Sequence, residues 1–127
     1  MSNVMVLVGR VLLAIIFLMA GLNKLGAGYA GTQAYMGAMG VPGMLLPLVI
    51  VLEIGGGLAL IAGIKTKLVS WALAGFTVAA AFIFHSKLSV QMESIMFMKN
   101  LAIAGGLMIL AEHGAGFYSL DRILGRR

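Results

Sequence analysis

The stretch VPGMLLPLVIVLEIGGGLALIAGI, residues 41–64, decides the fold. It is apolar from end to end apart from one charge, Glu53. A helix rises about 1.5 Å per residue, and about 17–25 apolar residues span a bilayer. This stretch is long enough. Three further runs match it: Val4–Leu22, broken by Arg10; Leu68–Phe84, without a charge; and Ile95–Ala111, with Lys99 and Asn100 near its start. The expected spans are 4–24, 42–64, 67–85 and 95–112. The expected fold class is an all-α membrane protein, a four-transmembrane-helix bundle, with 1–127 as a single domain. The first run reads as a span rather than a cleaved leader, because Asn23 and Lys24 close it instead of a small-x-small site.

Composition agrees. The 127 residues are 61% hydrophobic and 10% charged, with a mean hydropathy of +1.07. Soluble domains carry about 25% charged residues. A water-soluble chain of this size could not bury so much apolar surface, so the lipid bilayer is its first partner. The sequence has no cysteine, which excludes disulfides, Fe–S clusters and thiol chemistry within the chain. The net charge is +5, but no basic block is long enough for nucleic acid.

The cations flank the spans instead. Lys65, Lys67, Arg122, Arg126 and Arg127 fall on one side, and Lys24 and Lys87 on the other. The positive-inside rule then places both termini in the cytoplasm. Residues 117–127 read as an amphipathic tail, with Leu120, Ile123 and Leu124 at helical spacing among arginines. The Gly-rich connection between the first two spans carries Tyr29, Gln33 and Tyr35, and is expected to form a short interfacial segment. Stripes of small residues (Gly55, Ala59, Gly63; Gly75, Ala79; Ala102, Gly106) predict close helix packing.

The intramembrane polar residues are the informative ones. Each charge at mid-span costs about 2.5–3.5 kcal/mol on the insertion scale, so Arg10, Glu53, Lys99 and Asn100 are expected to form an interior network. Counted in helix rise from one membrane face, Arg10 lies roughly 9 Å deep and Glu53 roughly 15 Å. Arg10 is therefore the predicted partner of Glu53, with Lys99 second. Lys24, Gln33, Tyr35, His85, Lys99 and Asn100 fall near the other face. An apolar site with a few convergent polar groups suits a quinone head group or another lipophilic molecule. No catalytic residue stands out. His85 and His113 fall at opposite ends of their helices and cannot ligate one haem iron. Methionines such as Met36, Met92 and Met96 read as packing rather than copper ligands, so no metal site is expected.

These residues resemble the DoxX family of small bacterial membrane proteins across nearly the whole length. The resemblance rests on Gly9-Arg10-Val11-Leu12 with Gly21 and Lys24, on Tyr29-Ala30-Gly31-Thr32-Gln33, and on Met39-Gly40-Val41-Pro42-Gly43. It continues with Pro47, Glu53-Ile54-Gly55-Gly56-Gly57 and Gly63, with Phe84-His85, with Phe97-Met98-Lys99-Asn100 and Gly105-Gly106, and with Tyr118-Ser119-Leu120-Asp121-Arg122. The Tyr-Ala-Gly-Thr-Gln and Phe-Met-Lys-Asn stretches are similar to an enterobacterial inner-membrane subgroup labelled as quinol oxidase subunits. The resemblance implies a four-helix protein of the bacterial inner membrane, linked to quinone as an accessory or anchor subunit. A partner membrane oxidoreductase subunit would supply any metal or flavin, with no haem or Fe–S cluster in this chain. Other members imply an assembly or stability factor for another membrane protein. A small lipophilic-solute carrier, acting as a homo-oligomer, is the third reading. The family offers no catalytic residue set to carry over.

Overall fold

The structure is a computed structural model describing residues 3–85, 89 and 91–125. Lys87, Arg126 and Arg127, which carry part of the charge bias, lie outside the described residues. The elements are α1 (Asn3–Asn23), α2 (Ala27–Ala38), a 3-10 turn (Gly43–Leu45), α3 (Leu46–Ala62), α4 (Thr66–Phe84), α5 (Gln91–His113) and α6 (Leu120–Ile123). Four segments are long and apolar enough to cross a membrane: α1, the 3-10 turn with α3, α4, and α5.

The bundle is two helical hairpins. One pairs α1 with α3 across the short α2, and the other pairs α4 with α5; α3 and α4 provide most of the seam between them. All four spans contribute to the core, through Ala14 and Phe17, Leu60, Leu73 and Ala74, and Leu107 and Leu110. A smaller cluster of Met36, Leu46 and Ile50 fixes α2 over the start of α3. Residues such as Leu48, Val51 and Ile109 project outward, as a lipid-facing surface requires.

Lipid tails are as apolar as leucine, so close backbone approach must supply much of the cohesion. A side chain at Gly56 would meet Leu73, one at Gly57 would meet the Ala14 carbonyl and Leu18, and one at Gly106 would meet Leu13. Gly55 and Gly75 face open space, and Ala79 and Ala102 are exposed. The expected stripes are therefore packed only in part: Gly63 is covered, against Ser119, while Gly55, Gly75 and Ala79 are not. Four-residue spacing finds a face of small residues but not which face a neighbour covers. On α3 the covered face lies one step on, at Gly56 and Gly57, beside the buried Glu53.

Two boundaries shift from those the sequence suggests. The second span becomes α-helical only at Leu46, with Pro47 in its first turn, where the missing N–H costs nothing. The last span begins at Gln91 rather than 95, with Glu93 in its first turn, favourably placed for the helix dipole.

Candidate functional site

The bundle buries Arg10 and Asp121 at one end and Glu53 at the other. Arg10, on α1, is 2% exposed. Its Nε donates to the Leu60 carbonyl at 2.6 Å and its Nη1 to the Ala115 carbonyl at 2.5 Å. Its Nη2 donates to the carbonyls of Ile61 at 3.2 Å and Tyr118 at 2.8 Å. Leu60 and Ile61 lie in the last turn of α3, where carbonyls lack intrahelical donors. Ala115 and Tyr118 lie in the turn that follows α5. A guanidinium carries five donors in a planar fork, so one side chain closes both segments.

The same turn also caps α4. Asp121 accepts from the backbone N–H of Lys65 at 2.6 Å and of Thr66 at 2.8 Å, while its own N–H donates to the Gly63 carbonyl at 2.8 Å. These bonds hold Lys65 at φ 47°, a left-handed conformation costly for a residue with a Cβ. The Asp121 carboxylate also attracts the Arg10 guanidinium. This end is thus tied together by the bonds of Arg10 and Asp121.

Glu53, 4% exposed, marks the other end. Its partner is Lys24, with Nζ 2.8 Å from Oε1, and not Arg10. The expected Arg10–Glu53 pair fails for two physical reasons. The helix of Glu53 starts later than a count of apolar residues suggests, so Glu53 lies about 10 Å along α3 from Leu46. And Gly21 brings the α1 backbone against α3: a Cβ there would stand 3.2 Å from the Glu53 Cβ. Lys24 follows one turn later and reaches the carboxylate. Its ammonium also donates to the Ala20 carbonyl at 3.3 Å. The structure gives Glu53 no further hydrogen-bond partner among the described residues.

Beside this ion pair lies a cavity of about 390 Å³. Its walls are mostly apolar, with Phe17, Phe76, Val49 and Ile103 among them, and its polar lining comprises Lys24, Thr32, Tyr35, Glu53, Thr77, His85, Lys99 and Asn100. The lining residues Tyr35, Leu45 and Ile83 are also exposed on the bundle surface, so the cavity opens sideways. Tyr35 stacks on Phe84, ring centroids 5.3 Å apart, and its hydroxyl donates to the Phe84 carbonyl at 3.4 Å. This stack ties α2 to the end of α4. Asn100 Nδ2 donates to the Thr77 carbonyl at 3.4 Å, a long and weak bond. Lys99 has no ion pair or hydrogen bond among the described residues.

Of the residues singled out in the sequence, Lys24, Tyr35, Glu53, His85, Lys99 and Asn100 line this one cavity. Gln33 does not: its Nε2 donates to the Gly43 carbonyl at 3.1 Å and fastens α2 to the 3-10 turn. Arg10 stands apart from the proposed network, at the far end. Thr32, Thr77 and the aromatic walls are lining residues that sequence reasoning missed, since neither a threonine nor a phenylalanine is unusual in a span. Glu93 was missed as well; it meets His85 Nδ1 at 3.1 Å. No group of His, Asp and Glu with metal-binding geometry occurs among the described residues.

The DoxX family model matches residues 5–86. The chain is 53% identical to "Inner membrane protein YqjF" of Escherichia coli, over 100% of this chain and 97% of that protein. It is 31% identical to "Inner membrane protein YphA" of the same organism, over 94% of this chain and 89% of that protein. No solved structure matches it.

Proposed function

This chain belongs to the DoxX family and is an inner-membrane protein, and from that premise we propose that it is a quinone-linked accessory subunit with both termini in the cytoplasm. The observation that carries the reading is the sideways-opening cavity, apolar in its walls and supplied with a few converging donors. A quinone ring carries carbonyl oxygens that need donors and an apolar face that needs aromatic or aliphatic neighbours. Lys99 Nζ and Asn100 Nδ2 are the donors with capacity to spare, and Phe17, Phe76 and Phe84 supply the apolar contact. The isoprenoid tail would leave through the side opening into lipid. Bound quinone supplies electron-carrying chemistry, and this chain's residues bind and orient its head. Electron transfer would fall to a partner subunit.

The test is quinone retained on purification in mild detergent. Lys99→Ala removes a charge-assisted hydrogen bond worth about 1.5–3 kcal/mol, so retained quinone should fall by at least roughly tenfold. Unchanged quinone content in that variant would remove the support for this site. A single client protein in place of quinone would point to an assembly factor instead.

A further inference from the structure

At the Arg10 end, outside the tied turn, lies a second open cavity of about 400 Å³. It is built from three elements. Lys67 comes from the first turn of α4, His113 from the last residue of α5, and Arg122 from α6. The backbone of residues 114–116 forms its floor, with Gly114 at φ 89° and Gly116 at φ 87°. These left-handed glycines fold the chain back so that α6 reaches the start of α4. The acid in the lining, Asp121, already accepts the N–H groups of Lys65 and Thr66 through its two oxygens. Lys67 and Arg122 are the lining cations left to meet a ligand, and His113, whose Nδ1 meets the Gly114 carbonyl at 3.1 Å, offers its Nε2. Arg122 is positioned by Phe117, with Cζ 3.7 Å from the ring centroid.

The surroundings are those of a membrane interface. One turn on from Lys67 is Trp71, 49% exposed, and one turn before His113 is Ile109, 70% exposed. Positions four apart share a helix face, and α4 and α5 pack closely against each other. The basic cavity therefore adjoins an outward apolar strip on each of the two helices. Phe117 and Tyr118, both exposed, stand at its edge, and aromatic rings favour the headgroup level.

We propose that the cavity lined by Lys67, His113 and Arg122 binds the phosphate headgroup of an anionic phospholipid, whose acyl chains lie along the outer faces of α4 and α5. A free phosphate would satisfy the cations but leave the adjoining strips unexplained. A zwitterionic headgroup brings its own ammonium into a basic site. The proposal is independent of the quinone reading, because the two cavities lie at opposite ends of the bundle.

The experiment is native mass spectrometry of the full chain released from detergent. The protein is titrated with phosphatidylglycerol, phosphatidylethanolamine or inorganic phosphate. Wild type should retain phosphatidylglycerol in preference to the other two. Each lining cation makes a charge-assisted contact to the headgroup phosphate, so Lys67→Gln should weaken retention roughly tenfold and Lys67→Gln with Arg122→Gln roughly a hundredfold. Lys65→Gln, a cation at the same end that does not line the cavity, should leave it unchanged. The single Lys67→Gln variant keeps the Arg122–Phe117 contact, so it remains readable if the double variant unfolds the tail. Equal retention of phosphatidylethanolamine overturns the proposal. So does a Lys65→Gln loss as large as that of Lys67→Gln, which would mean diffuse charge rather than a site. Inorganic phosphate displacing the lipid at matched concentration would identify a plain anion site and likewise overturn it.

Discussion

Arg10 and Glu53 are equally hidden, at 2% and 4% exposure, yet their surroundings differ in kind. Arg10 donates to four carbonyls from two segments and sits against packed backbone. Glu53 has Lys24 and, beyond it, an open cavity. A buried charge whose bonding is saturated by main chain holds the fold and has nothing left for a ligand. A buried charge with one movable partner beside empty volume leaves room for a ligand. The same residue class therefore serves architecture at one end and recognition at the other.

The largest effect is expected at the saturated end. Arg10→Leu strands four carbonyls and should destabilise the protein by about 3–5 kcal/mol, read as a collapsed melting temperature in detergent. A melt like that of wild type would break the comparison outright. A glycine at the Arg10 end sharpens it next. Gly63→Ala sets a Cβ at φ 74° directly against Ser119 and near the Arg10 guanidinium, and should cost about 1–3 kcal/mol. Glu53→Gln should cost less, about 1 kcal/mol or under, because Lys24 is partly exposed and can turn to water. If Glu53→Gln melted below Gly63→Ala, the cavity end would be structural after all. Smallest is Lys99→Ala, whose melt should stay within about 0.5 kcal/mol of wild type while its quinone content drops.

The four spans were legible because the bilayer imposes one length on every crossing helix. The cavity residues were legible for a related reason. Lys24, His85, Lys99 and Asn100 are conspicuous in apolar sequence, and the alternating direction of the spans brings them to one end. The partner of Arg10 was not legible. Its acceptors are backbone carbonyls, which every residue carries, and they become special only where a helix ends or a turn folds back. The Lys24–Glu53 pair depended on Gly21, whose role appears only once α1 and α3 are seen in contact. The partly covered small-residue stripes have the same origin: the sequence states which residues are small, and only the packed bundle states which are covered.

The Arg10 bonds also bear on the order in which the protein is made. Arg10 is synthesised well ahead of two of its acceptors, Ala115 and Tyr118, which lie 105 and 108 positions further along. Until that late segment leaves the ribosome, the guanidinium has no complete set of acceptors within the nascent chain and must rely on headgroups or water. Synthesis at about 5–20 residues per second leaves this cation waiting for roughly 5–20 seconds. Closure around Arg10 therefore waits for the turn that follows α5, and a translation product stopped before Ala115 would carry an unanswered charge that quality-control proteases can find.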